Sequence, residues 1–73
     1  VEQTEISFYP NPTDSKVTFS QMIERIEVID LTGRTIFTFS NASEINIESL
    51  PSGAYYLRLT NDEKTIMQKV IKQ

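Results

Sequence analysis

Residues 55–60 run Tyr, Tyr, Leu, Arg, Leu, Thr, and that order says more about the fold than any other stretch. In an extended chain Tyr55, Leu57 and Leu59 fall on one side while Tyr56, Arg58 and Thr60 fall on the other, the two-residue period of a half-buried strand. The rest of the chain has the same leaning: Ile occurs nine times against four Leu and two Ala, a β-branched bias that favours strands over helices. With 73 residues and no cysteine, one domain must build its core by packing alone.

Further short alternations flank the first. Ile6 and Phe8 bracket Ser7 and then meet Pro10, Asn11 and Pro12, where two residues without N–H donors end a strand. Asn11 and Asp14 are placed to turn the chain through side-chain bonds to nearby backbone, and Val17 and Phe19 open a second strand. Residues 26–31 and 34–40 read as a hairpin, with Asp30 and Gly33 at the first and last positions of a type I turn and Gly33 supplying positive φ. Residues 41–43 read as a turn, which makes the Asn41-Ala42-Ser43 tripeptide a turn rather than a glycan acceptor. Ile45 and Ile47 form another strand, and Leu50, Pro51, Ser52 and Gly53 turn into the strand at Tyr55. Asn61 and Asp62 make the last turn, and residues 64–73 complete about seven strands. Strand parity places Val17, Phe19, Ile26, Val28, Ile45, Ile47, Tyr55, Leu57 and Leu59 in the core.

Two stretches carry a second pattern. Met22, Ile23, Ile26 and Ile29 fall at helical spacing behind Ser20, a residue suited to an N-cap, and Ile66, Met67, Val70 and Ile71 share a helical face. Periodicity alone leaves strand and helix open in both.

The chemistry is narrow. Without His or Cys, the chain has no imidazole for proton transfer, no thiolate nucleophile and none of the usual zinc ligands. Its ten carboxylates form no calcium-loop pattern, and Gly33 and Gly53 stand too far apart to cradle a phosphate, so no cofactor is expected. Seven basic against ten acidic residues argue against nucleic-acid binding. No apolar run approaches the roughly 20 residues of a membrane-spanning helix. Tyr9, Tyr55 and Tyr56 could serve a sugar-binding platform, but parity sends Tyr55 inward and Tyr56 outward. Lys64, Lys69 and Lys72 give the tail a positive bias, read as surface charge that discourages edge pairing, and replacing Lys69 and Lys72 by Gln should cost little stability. The start at Val1 reads as a domain excised from a longer protein.

Taken in order, Tyr9-Pro10-Asn11-Pro12, Asp30-Leu31-Thr32-Gly33-Arg34, Leu50-Pro51-Ser52-Gly53-Ala54-Tyr55 and Lys69-Val70-Ile71-Lys72-Gln73 resemble the type A C-terminal sorting domain of type IX secretion, over nearly the whole chain. Ala54 is smaller than the β-branched residue that pattern leads one to expect. The resemblance implies an all-β, immunoglobulin-like antiparallel sandwich in which both ambiguous segments are strands. It also implies a role: residues 1–73 would be the single sorting domain of a larger secreted protein of the Bacteroidota. A fused N-terminal cargo would pass through the periplasm to the type IX translocon in the outer membrane. A sortase-like peptidase would usually remove the domain, leaving cargo at the cell surface, often on lipopolysaccharide, or released. Lys69, Val70, Ile71, Lys72 and Gln73 become the candidates for recognition, while Pro10, Asn11, Pro12, Gly33, Leu50, Pro51, Gly53 and Tyr55 become structural. The rival is an accessory sandwich that binds carbohydrate or packs against a parent enzyme.

Overall fold

Each alternating stretch contributes to a strand, with Ile6 and Ile47 falling just outside the ends. The computed structural model describes residues 6–73, so Val1 lies outside the described residues. Strands β1 (Phe8–Tyr9), β2 (Lys16–Ile29), β3 (Thr35–Asn46), β4 (Gly53–Asn61) and β5 (Lys64–Lys72) form one curled antiparallel sheet, with no helix among the described residues.

Strand β2 organises the sheet. Its first half lies between β1 and the end of β3, with Phe8 opposite Phe19 and Val17 opposite Ile45. Its second half lies between β4 and the start of β3, so that Val28 faces Leu57 on one side and Phe37 on the other. β5 continues outward from β4, with Tyr55 opposite Val70.

The count of about seven strands is thus corrected to five, because the polar breaks expected near Ser20 and at residues 41–43 are bends inside continuous strands. The β2–β3 register shifts between Thr18 and Ile23, the mark of a bulge. Asn41 turns the chain at φ 51° without leaving β3, a conformation that Asn tolerates better than most residues.

The helical spacing in β2 comes from a change of buried side just after that bulge. Phe19 and Ile23 point inward with one parity, Ile26 and Val28 with the other, so the inward side switches between Ile23 and Ile26. A strand that changes face once within a few residues imitates the three-residue step of a helix. Asn61 pins this irregularity: its Nδ2 donates to the Met22 carbonyl at 3.1 Å and its Oδ1 accepts from the Glu24 amide at 2.7 Å.

All nine residues assigned to the core by parity are buried, joined by Ile6, Ile23, Leu50 and Val70. Phe8, Phe37, Phe39 and Ile66 pack half-buried against them. On the outer face Glu27 is nearly covered and is held between Arg58 at 3.2 Å and Arg25 at 3.5 Å. Burying that carboxylate is tolerable because both oxygens meet guanidinium groups.

The hairpin turn follows expectation. The Gly33 amide donates to the Asp30 carbonyl at 3.0 Å, the Asp30 amide donates to the Arg34 carbonyl at 2.9 Å, and Gly33 has φ 92°. Asp30 Oδ1 accepts from the Thr32 hydroxyl at 2.6 Å and from the amides of Thr32 and Arg34 at 2.9 and 3.0 Å. These bonds, that of the Thr32 hydroxyl foremost, hold the Asp30 carboxyl below its ordinary value of 3.8.

Candidate functional site

Residues 69–73 lie at the end of β5, and the strand's alternation divides them. Val70 and Lys72 point inward and are buried, at 0% and 7% exposure, whereas Lys69, Ile71 and Gln73 are exposed. The expectation that Lys72 is a surface charge is corrected here. Parity outranks residue type: Lys72 shares a side with Val70, and its Nζ donates to the Gln73 carbonyl at 3.1 Å. The tail is a strand, not a helix, and its two faces carry different apolar residues, Ile66 and Val70 inside, Met67 and Ile71 outside.

One edge of β5 pairs with β4; along residues 69–73 the other is closed by the N-terminal arm. Asn11 does not turn its own neighbourhood as expected. Its Nδ2 donates to the Lys69 carbonyl at 3.2 Å and its Oδ1 accepts from the Ile71 amide at 3.0 Å, so the side-chain amide takes the place of a peptide group in a ladder. The backbone then continues the same ladder: the Thr13 amide donates to the Ile71 carbonyl at 2.9 Å, and the Gln73 amide donates to the Thr13 carbonyl at 2.8 Å. This short pairing is parallel.

The turn after it depends on Thr13 rather than Asp14. Buried Thr13 donates its hydroxyl to the Lys16 carbonyl at 2.7 Å and accepts from the Ser15 amide at 3.3 Å. Pro10 and Pro12 flank Asn11 and have no amides to offer, consistent with an arm whose polar contact is made by the residue between them. Two motifs far apart in sequence therefore form one hydrogen-bonded unit. The only forewarning was Asn11 set between prolines, and nothing in the sequence near it named β5 as its partner.

The third motif supports the tail from the opposite side. Leu50 is buried, Gly53 enters β4 at φ 150°, and Tyr55 turns its ring inward opposite Val70. The Tyr55 hydroxyl donates to the Pro51 carbonyl at 2.7 Å, so a buried ring keeps its polar end satisfied. A side chain at position 53 would have open space around it, but that φ is one that residues with a Cβ rarely adopt.

Beside the tail, the outer face of β4 presents Ala54 opposite Ile71, Tyr56 opposite Lys69 and Arg58 opposite Met67. Met67 is 51% exposed and Ile71 37%, so this face is a mixed apolar and cationic surface. The three-tyrosine platform does not form: Tyr55 is in the core, Tyr9 is exposed on β1 and Tyr56 is half-buried on β4. A shallow groove of about 450 Å³ lies by Asp30, Arg34, Ile36, Leu50 and Tyr55. Asp30, half-buried, and exposed Arg34 stand 3.7 Å apart on its rim. Among the described residues no three carboxylates gather as a metal site, and no helix is long and apolar enough to cross a membrane.

The family model described as the secretion system C-terminal sorting domain matches residues 7–73, the segment that runs from the arm through the tail it holds. The chain belongs to this family. Its domain is a C-terminal sorting signal of type IX secretion, a non-catalytic module associated with export toward the cell surface or extracellular space. A comparison with curated proteins finds no match.

Proposed function

We propose that residues 1–73 are the single sorting domain of a larger secreted protein, read by the type IX translocon of the outer membrane through the outward side of the tail. An N-terminal cargo would reach the periplasm first. The translocon would engage the folded domain, and a sortase-like peptidase would then detach it, leaving cargo anchored at the surface or released. The observation that carries this reading is the division of the tail: Lys69, Ile71 and Gln73 are open to a partner, while Val70 and Lys72 hold the strand in place.

The immunoglobulin-like sandwich implied by the resemblance remains our reading of the curl. Two features support it. β2 changes one partner between its two halves, from β1 to β4, as a strand does when it passes from one layer to another. The Tyr55 bond to the Pro51 carbonyl at 2.7 Å has the form of a tyrosine corner.

A cargo fused to residues 1–73 and expressed in a bacterium with a type IX system tests the sorting role. The double variant Lys69→Gln, Ile71→Gln alters only exposed positions and should leave the urea midpoint nearly unchanged. We expect its cargo to accumulate in the periplasm. Undiminished surface delivery by a folded double variant would defeat the outward-side reading.

A further inference from the structure

Strand β3 pairs with β2 alone; along its other edge, Thr35 to Asn46, no strand of the described residues lies against it. Residues 35–43 contain no charged residue, no proline and no glycine, so the bend at Asn41 is the one device in that stretch that works against edge pairing. The inner side of the same stretch carries Phe37 and Phe39, half-buried and edge to face with ring centroids 5.9 Å apart. The core is thus open where the sheet ends.

We propose that this edge is a homodimer interface, in which β3 of a second copy of the chain pairs antiparallel along it about a two-fold axis at Thr38. The symmetry follows from the strand itself. With Thr38 opposite Thr38, Phe37 meets Phe39 of the second copy and Ile36 meets Ser40, so residues of equal parity face each other and all four phenyl rings lie on one side of the joined sheet. Charge selects the antiparallel sense. Arg34 stands just before the strand and Glu44 near its end, so antiparallel pairing brings each toward its opposite on the other copy, whereas parallel pairing would put like charges together. The interface is isologous and closes at two copies. This inference does not rest on the sorting role.

The chain has no cysteine, which makes a single introduced thiol a clean probe. Directly opposed residues of an antiparallel pair have Cα atoms about 4.5–5.5 Å apart, within disulfide reach. We expect Thr38→Cys to oxidise readily to a covalent dimer, and Thr65→Cys, exposed on β5, to do so far more slowly. In sedimentation equilibrium the unmodified 73-residue chain should associate, with Thr38→Lys raising the dimer dissociation constant about tenfold or more, since like charges then meet across the axis. Circular dichroism would verify that this variant is folded. An equimolar mixture of Thr38→Lys and Thr38→Glu should regain dimer, because the two charges then attract. A chain that stays monomeric up to about 1 mM, equal oxidation rates for the two cysteine variants, or a dimer indifferent to Thr38→Lys would each overturn the proposal.

Discussion

Two outer strands of this sheet, β5 and β3, meet solvent in opposite ways. At β5, residues 69–73 are bonded on both sides, by β4 and by the arm through Asn11 and Thr13. At β3 a longer, uncharged edge is left bare. An uncovered sheet edge presents unpaired peptide groups to whatever comes near, and here one edge is covered and the other is not. The covered edge belongs to the tail, whose geometry is thereby held; the bare one leaves its peptide groups free for another strand.

The strongest way to break the contrast is to remove the covered edge. Deleting residues 69–73 takes buried Val70 from the core and abolishes four long-range hydrogen bonds to the arm. At about 1 kcal/mol per bond and a further ~2 kcal/mol or more for the lost apolar side chain, the loss rivals the total stability of a small domain. The expected outcome is no cooperative thermal transition by circular dichroism. A sharp transition within a few degrees of the parent would mean that the tail is an ornament.

Tyr55 supports the tail from the other side, so Tyr55→Ala should cost about 3–5 kcal/mol. Its half-buried neighbour Tyr56, on the outer face, should cost under about 1.5 kcal/mol when cut to Ala. Denaturant titrations giving equal losses would contradict the division of the two faces.

Asn11→Ala sharpens the comparison further. It leaves the Lys69 carbonyl and the Ile71 amide without their partner, with an expected loss of about 1–3 kcal/mol if solvent does not replace it. Thr38→Ala on the bare edge should change monomer stability by less than about 0.5 kcal/mol. Urea midpoints that fall equally would erase the distinction between the edges.

A smaller and opposite effect is expected at the turn that delivers β5. Asp62 and Glu63 both have positive φ, 50° and 68°, although neither is glycine. Glu63→Gly relieves a left-handed residue and should stabilise the chain by about 0.5–1 kcal/mol; a lowered urea midpoint would contradict that account.

The smallest effect lies at the turn that delivers β3. The Asp30 carboxyl is held below its ordinary value of 3.8 by the Thr32 hydroxyl and the Arg34 amide. Its folded-state pKa is depressed, so its contribution to stability is complete above that ordinary value and disappears as pH falls through the lower folded one. Asp30→Asn should therefore flatten the acid end of the stability profile and leave it unchanged in shape near neutrality. An unaltered acid limb would show that the turn carboxylate contributes nothing.

How far the sequence could be read depended on whether the controlling interactions were local. Parity found Val17, Phe19, Ile26, Val28, Ile45, Ile47, Tyr55, Leu57 and Leu59, because each sits in a regular stretch where the next side chain must point the other way. It could not find Ile23, since the buried side of β2 switches between it and Ile26, nor Lys72, where residue type argued against the inward position that parity required. The turn at Asp30 and Gly33 was legible because all its bonds close within five residues. Asn11 and Asn61 were not, because their partners lie tens of residues away. The residues of the candidate site were named from their motif, but which of them face outward required the register of β5 against β4.

Only alternate residues of the tail can be touched from outside, and the strand carrying them is held by an arm from the other end of the domain. A receptor that recognises Lys69 and Ile71 as neighbours on one surface is therefore not spelling out a linear peptide. Under the proposed sorting role, the contact is available only after the arm and the tail have found each other, so an address written this way would double as a receipt for completed folding. Chains stalled midway would carry the same letters and remain illegible.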